Sequence, residues 1–148
     1  MTDPVMSSLL RINRQRLYFL QRTILNSHGY VGVMHLIVLR AGRCPGVSQD
    51  GIANFFCLDK TSVARGARRL EEMGHLRRTQ DPENRRQYQL FLTPEGEEML
   101  EKIEHAYDRF QEKLADGISV EDWTLLSSLL RRLEDNSCRE PDSGEIKR

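Results

Sequence analysis

The segment LDKTSVARGARRLEEMG, residues 58–74, decides how the centre of this chain folds. Asp59 suits the N-cap of a helix, because its carboxylate can accept a hydrogen bond from a free backbone amide of the first turn. Gly74 suits the end of a helix, since glycine adopts left-handed backbone without strain. The segment therefore predicts a helix from Lys60 to Met73.

One face of this helix is apolar and the opposite face is basic. At about 100° per residue, the apolar side chains cluster and mark the core stripe, which consists of Val63, Ala67 and Leu70. Thr61, Arg65 and Arg68 fall on the opposite side, with Arg69 beside them. Hydroxyls and a helix N-terminus can bind phosphates, and guanidinium groups can bind guanine edges, so this face suits a DNA duplex. An ordinary solvated helix face is the alternative at this point.

A short helix precedes the basic helix, and a polar hairpin follows it. Ser48 predicts the N-cap of a helix from Gln49 to about Phe55, so the two helices form a helix-turn-helix candidate. After Gly74 the apolar period changes to two, which predicts two strands joined by a turn over residues 81–84. The hairpin carries four arginines that can reach phosphates or a minor groove: Arg77, Arg78, Arg85 and Arg86. The alternative is an edge hairpin kept soluble by charge.

Long helices flank this central region on both sides. Leucines and isoleucines at helical spacing predict a helix from Val5 to Leu25, and His28-Gly29 breaks it. A more apolar helix starts near Val33 and ends before Gly42. Thr93-Pro94 opens an acidic helix that reaches Ala115. Gly117 closes that helix, and Ser119 caps a last amphipathic helix whose apolar positions are Trp123, Leu126, Leu130 and Leu133.

These elements predict a mainly α fold with a small β hairpin, of the α+β class. We expect an N-terminal helix over residues 1–28, a helix-turn-helix domain with its hairpin over 29–93, C-terminal helices over 94–136, and a disordered polar tail over 137–148. The terminal apolar stripes exceed what the small central domain can cover. Pairing with a two-fold mate would bury them, so we expect the chain to form a homodimer through the helices at its two ends.

The formal charge of zero, from 22 basic and 22 acidic side chains, cancels between regions. Residues 60–80 carry six basic and two acidic groups, a net charge of +4. Residues 95–116 carry three basic and eight acidic groups, a net charge of −5. Overall neutrality argues against a histone-like coat or a polybasic membrane binder, and it predicts weak non-specific DNA binding.

The sequence lacks the patterns typical of membrane proteins, metal sites and the nucleophile elbow of enzymes. No apolar run approaches the roughly 20 residues of a membrane span and no leader pattern opens the chain, so we expect a cytoplasmic protein without a membrane partner. The scattered histidines lack metal-ligand spacing, and the GVSQDG stretch at residues 46–51 lacks the second glycine of a nucleophile elbow. We therefore expect no metal, no cofactor and no enzyme activity.

Four stretches of the central region form a pattern: PGVSQ (45–49), LDKTSVAR (58–65), LEEMGHLRR (70–78) and LFLTPEG (90–96). Together they resemble the MarR family of bacterial winged-helix transcriptional regulators. The resemblance is specific for residues 30–96, and the flanking helices match the family's dimerisation helices only in pattern. It implies a winged helix-turn-helix domain between N- and C-terminal dimerisation helices.

The resemblance also implies a function and a set of site residues. It implies a homodimeric regulator, most often a repressor, on double-stranded DNA with a palindromic operator. The helix from Lys60 would be the recognition helix and the hairpin the wing. The expected DNA-binding residues are Ser48, Gln49, Lys60, Thr61, Ser62, Arg65, Arg68, Arg69, Arg85 and Arg86. In the wing, Asp81 and Arg86 match the family's turn, whereas Glu83 and Asn84 stand where the family usually has arginine and aspartate.

Members of the family typically release DNA when a small aromatic or anionic molecule enters the cleft between the dimerisation helices and the winged domain. In this chain the candidate effector-binding residues are Arg14, Arg16, Tyr18, His28, Tyr30 and His35, and surface arginines with packed aromatic residues are the alternative. Control by cysteine oxidation would fall on Cys44, while Cys57 is expected to be a small core residue. A winged helix that docks an acidic protein partner is a further alternative.

Overall fold

The computed structural model describes residues 3–137, and its fold is mainly α-helical with one small antiparallel sheet. Chain contacts divide it after Phe110 into two compact units. In chain order the elements are α1 (Pro4–Leu20), α2 (Met34–Arg43), β1 (Val47–Ser48), α3 (Gln49–Phe56), α4 (Lys60–Glu72), β2 (Leu76–Gln80), β3 (Tyr88–Leu92), α5 (Pro94–Ala115) and α6 (Val120–Ser137). The predicted fold class is confirmed. Of the predicted tail, only Ser137 lies within the described residues.

The sheet has three strands in the order β1-β3-β2. The hairpin pairs Leu76 with Leu92 and Gln80 with Tyr88, as its period-two pattern predicts. Strand β1 was not predicted, because two residues are too short to show an alternating pattern. It pairs Val47 with Leu90 and so fastens the start of α3 to the wing.

The core of the first unit forms where α2, α3, α4, α5 and β3 meet. The predicted stripe of α4 is fully buried, which confirms it. Gly66 lies on the same face, where an added Cβ would come within 2.7 Å of Ile37 Cδ1, so the missing side chain lets α4 approach α2 closely. Other fully buried side chains are Met34, Ile37, Val38, Ile52, Leu90, Met99 and Ile103.

The first helix runs to Leu25 as predicted, but it keeps α geometry only to Leu20 and continues as a π turn over Gln21–Leu25. There the Thr23 hydroxyl donates 2.8 Å to the Phe19 carbonyl and competes with the backbone ladder. The predicted end of the second helix, before Gly42, is wrong. Helix α2 runs through Gly42 to Arg43. The missing side chain at Gly42 leaves room for Leu100, whose Cδ2 lies where a Cβ would be.

The predicted N-caps are confirmed by their hydrogen bonds. Asp59 Oδ1 accepts from Ser62 N at 2.7 Å, and Ser48 Oγ accepts from Gly51 N at 2.9 Å. Ser119 Oγ accepts from Asp122 N at 3.1 Å at the start of α6. These bonds satisfy amides that helix geometry leaves free, so each cap fixes the residue at which its helix begins.

The wing is fastened at its base by a contact that we call the Gly74–Thr93 junction, made by residues 74–75 and 93–96. Thr93 Oγ1 donates to the Gly74 carbonyl at 2.6 Å and accepts from Gly96 N at 3.1 Å, while Thr93 N donates to the His75 carbonyl at 3.2 Å. Gly96 lies directly against the His75 carbonyl oxygen. The end of α4, both ends of the hairpin and the start of α5 therefore meet at one point.

The second unit contains the end of α5, a turn and α6. Gly117 closes the turn with a left-handed φ of 75°. Large apolar side chains of α6 remain between 36% and 57% exposed in this chain: Leu125, Leu126, Leu129, Leu130 and Leu133.

Gly96→Ala tests the junction. A Cβ at this position would overlap the backbone oxygen of His75, and backbone cannot give way as a flexible side chain can. We expect a loss of about 3 kcal/mol of unfolding free energy, measured by urea denaturation at fixed protein concentration. In a helix without such a neighbour, glycine to alanine stabilises, so an unchanged or increased stability would contradict the packing described.

Candidate nucleic-acid interface and arginine cleft

The turn between α3 and α4 sets the start of the recognition helix. Helix α3 ends at Cys57, whose left-handed φ is 52°, and Leu58 N donates to the Ala53 carbonyl at 2.8 Å. Cys57 is exposed, so the expectation that it is a small core residue is wrong. Its αL cap position turns the side chain outward, a geometry that apolar periodicity does not reveal.

The cap at Asp59 is a charged one. Hydrogen bonds from Ser62 are the main cause that holds the pKa of the Asp59 carboxyl below its ordinary value, and the charge of Arg65 adds to this. The carboxylate therefore stays ionised at neutral pH and compensates the positive end of the α4 dipole.

The outward face of α4 carries the predicted polar residues. Lys60, Thr61, Arg65, Arg68 and Arg69 are exposed, and Ser62 is half-buried. The described residues place Ser48 and Gln49 at the start of α3, both half-buried, with the Ser48 hydroxyl engaged in its cap. The structure therefore brings these residues to the helix-turn-helix.

Ion pairs engage most of the cations on α4. Glu72 contacts Arg68 Nε at 3.2 Å and Arg69 Nη1 at 3.7 Å. Asp50 contacts Lys60 Nζ at 3.2 Å. Within residues 3–137, Arg65 is the one cation of α4 with no carboxylate oxygen within 4.0 Å. Its guanidinium fork is therefore available for a planar partner.

Three local hydrogen bonds shape the wing tip. Asp81 Oδ1 accepts from Glu83 N at 2.9 Å, and Asn84 Oδ1 accepts from Arg86 N at 3.2 Å. Gln80 Nε2 donates to the Arg85 carbonyl at 2.8 Å. The Asn84 oxygen thus makes an acceptor contact that an aspartate could also make, and the side chains of Arg85 and Arg86 are left exposed.

A second site is a cleft of about 400 Å³ in the first unit, which we call the arginine cleft. It is lined by Asn13, Arg16, Leu36, Leu39, Arg40, Arg43, Phe55, Phe56, Leu58 and Tyr107. These residues come from α1, α2, α3, the helix-turn-helix turn and α5. The lining combines three guanidinium groups with apolar and aromatic walls, and none of its described residues is acidic, although Arg43 pairs with the nearby Glu104 at 3.8 Å.

Three polar atoms of the cleft have no hydrogen-bond partner within residues 3–137. They are buried and belong to Arg16 Nε, Arg40 Nε and the Tyr107 hydroxyl. The Arg40 guanidinium lies 3.8 Å from the centroid of the Phe55 ring. Burial is the main cause that raises the pKa of Tyr107, so its hydroxyl keeps its proton and can donate. Unpaired donors beside aromatic faces suit a planar anion.

The candidate effector residues are not gathered in one place. Arg16 lines the arginine cleft, whereas Arg14 and Tyr18 lie along a separate shallow depression on α1. His28 Nδ1 lies 2.9 Å from the Ile24 carbonyl, and buried Tyr30 bonds to His75 Nδ1 at 2.7 Å. His35 is only 4% exposed and does not line the cleft.

Sequence reasoning missed the cleft residues that come from elements far apart in the chain. Arg40, Phe55 and Tyr107 lie on three different helices, and no motif links them. A basic residue on the apolar helix α2 was the one available signal, because a charge on a mostly buried helix needs a partner. Among the described residues, no cluster of three or more potential metal ligands occurs and no helix is long and apolar enough to cross a membrane.

The helix-turn-helix with its exposed basic helix and hairpin defines a winged-helix DNA-binding protein. Residues 35–88 match the family model described as MarR family. The chain is 31% identical over 112 residues to a putative transcriptional regulatory protein for the hcr operon of Thauera aromatica, covering 76% of this chain and 68% of that protein.

Solved structures agree with these sequence matches. The crystal structure of MarR is 35% identical, with a TM-score of 0.81, and the alignment covers 93% of this chain and 95% of that chain. A structure of BpsR from Bordetella bronchiseptica, described as regulated in its DNA binding by 6-hydroxynicotinic acid, shares the fold at 23% identity, with a TM-score of 0.73 and coverage of 89% and 99%. The chain belongs to the MarR family, and it is a DNA-binding transcriptional regulator of that type.

His35 gives the fold a measurable acid sensitivity. Burial, followed by the charge of Arg16, lowers its pKa from 6.5 to about 4. Because the pKa of His35 is lower in the folded state, the unfolded state takes up its proton first as the pH falls. Titration of His35 therefore leaves the free energy of unfolding unchanged above about pH 6.5 and reduces it as the pH falls from there towards 4. The loss from this group is about 3 kcal/mol at most.

His35→Leu removes the titrating group. We expect the variant to lose less unfolding free energy than the parent between about pH 7 and pH 4.5, measured by urea denaturation at fixed protein concentration. Equal losses in the two proteins would show that His35 does not titrate as its burial implies.

Proposed function

We propose that this protein is a homodimeric repressor that binds a palindromic operator and releases it when a small aromatic anion enters the arginine cleft. The observation that supports DNA binding is the exposed hydroxyl and arginine face of α4, on which Arg65 is the cation without an ion pair among the described residues. The recognition helix would lie in the major groove, and Arg85 and Arg86 would bring the wing to the backbone or the minor groove.

Exposed apolar side chains at both ends of the chain support the homodimer. On α1, Val5, Met6 and Leu10 are each more than half exposed, and the leucines of α6 are also uncovered. Burying a large apolar side chain yields about 1.5–3 kcal/mol, so a mate that covers several of them would bind strongly. Its two recognition helices would read half-sites about 10 bp apart.

The operator itself is the direct test of this proposal. We expect footprinting of the purified protein on DNA flanking its own gene to show a protected palindrome, and transcription from that template to fall when protein is added. Sedimentation should give twice the chain mass. A protein that binds this DNA no better than random DNA at moderate salt, as an interaction module would, contradicts the proposal.

Arg65→Ala separates base reading from phosphate binding. If Arg65 pairs with a base edge, the variant should lose about 1–3 kcal/mol of operator binding and much less on scrambled DNA. The measurement is a fluorescence-anisotropy titration of both duplexes at several salt concentrations. Equal losses on the two duplexes would make Arg65 a phosphate contact instead.

The chemistry of the arginine cleft supports the proposal that a small aromatic anion binds there and releases the DNA. Its donors can bind a carboxylate, and Phe55, Phe56 and Tyr107 can face an aromatic ring. Leu58 also lines the cleft, one residue before the Asp59 cap of α4. An occupant would therefore touch the helix-turn-helix directly. BpsR, with the same fold, is described as regulated by an aromatic acid, 6-hydroxynicotinic acid.

Arg16→Gln tests the effector site, with Arg14→Gln as its matched control on the neighbouring face of α1. We expect benzoate or 6-hydroxynicotinic acid to release operator DNA from the parent protein, and neutral benzamide to release much less. Arg16→Gln should weaken the response about tenfold, because it removes a charged donor of the cleft, and Arg14→Gln should leave it unchanged. Equal effects of the two substitutions would exclude the cleft.

A further inference from the structure

A half-buried ion pair joins the recognition helix to the wing. Arg78, in β2, donates from Nε and Nη2 to Glu71 Oε2 of α4 at 2.8 and 2.5 Å. The side chain of Arg78 is 27% exposed and that of Glu71 is 38% exposed, whereas both side chains of the Arg68–Glu72 pair are more than half exposed. The Glu71–Arg78 pair is therefore less screened by water than the other ion pairs of α4.

The surroundings of Arg78 hold its guanidinium in place. Arg78 is paired in register with Leu90, which is fully buried, and its guanidinium lies 5.4 Å from the centroid of the Tyr88 ring two residues along the same strand. The side chain thus packs along β3 and ends on Glu71. Of the four wing arginines, Arg78 is the one whose guanidinium bonds a carboxylate of α4.

The covalent connection between α4 and β2 is short but contains a flexible residue. Only Met73, Gly74 and His75 separate the two elements, and Gly74 has a left-handed φ of 77°. The Gly74–Thr93 junction fixes the base of the hairpin, and the pairing of β1 with β3 at Leu90 and Gln89 ties the wing to the start of α3. The Glu71–Arg78 pair is the side-chain contact that ties the wing to α4 itself beyond the junction.

We infer that Glu71 and Arg78 are positioning residues that set the angle of the wing to the recognition helix and so allow both to fit one operator. The inference rests on the proposed DNA-binding function and names residues that determine specificity without touching a base. Loss of the pair would leave α4 in its groove and β2 tied to α4 only at the junction, so the angle between the wing and α4 could change while β1 still holds β3.

Electrostatics alone predicts the opposite result, so the experiment distinguishes the two explanations. Removing a carboxylate from a DNA-binding surface strengthens attraction to phosphates. Glu71→Gln should therefore bind any DNA more tightly if only electrostatics matter. If Glu71 positions the wing, the same substitution weakens operator binding while binding to scrambled DNA stays equal or rises.

The chain supplies a matched control in the next residue. Glu72→Gln makes the same change of charge, but Glu72 contacts only Arg68 and Arg69 on the exposed face of α4. We expect Glu71→Gln to lower the ratio of operator to scrambled-DNA affinity about tenfold relative to Glu72→Gln, in anisotropy titrations. Arg78→Lys keeps the charge but loses the two-nitrogen contact, so it should fall between parent and Glu71→Gln.

Hydroxyl-radical footprinting distinguishes a change in the position of the wing from a general loss of stability. We expect Glu71→Gln to keep the central protection made by α4 and lose the flanking protection made by the wing, with an unchanged thermal midpoint. Flanking protection equal to that of Glu72→Gln, or uniform loss across the site, would overturn the inference. Failure of the parent protein to prefer its operator would instead refute the proposed function.

Discussion

The hydroxyl of Thr93 is the contact on which the DNA-binding half of the molecule depends. It donates to the Gly74 carbonyl, just after the end of the recognition helix, and accepts from the first turn of α5, so the wing leaves and returns at the same place. Gly96 allows this because no side chain separates α5 from the His75 carbonyl. Both ends of the hairpin are therefore fastened at one place, and β1 holds β3 farther along the wing.

The arginine cleft is lined partly by residues that immediately precede the recognition helix. Its walls include Phe55 and Phe56 at the end of α3, and Leu58 in the turn that follows. These residues stand immediately before the Asp59 cap, which fixes where α4 begins. The elements that would read DNA and the elements that line the cleft therefore share a segment of chain, and no long path through the core is needed to connect them.

The sequence predicted the elements whose signals are local. Caps at Ser48, Asp59 and Thr93 and the stripe of α4 are readable because each depends on residues within one or two turns. Strand β1 and the extension of α2 through Gly42 depend on partners more than forty residues away, Leu90 and Leu100. The arginine cleft was not predicted for the same reason, because periodicity shows which face of a helix is buried but not which helices meet.

The pairing of charges on α4 has a consequence for how this neutral protein meets DNA. Glu72 is shared between Arg68 and Arg69, Asp50 pairs with Lys60, and Glu71 pairs with Arg78. A cation that already has a carboxylate partner displaces fewer counterions from a duplex than a free one does. The number of ions released on binding should thus be smaller than the count of arginines implies, and the affinity for DNA should depend less steeply on salt than that count suggests.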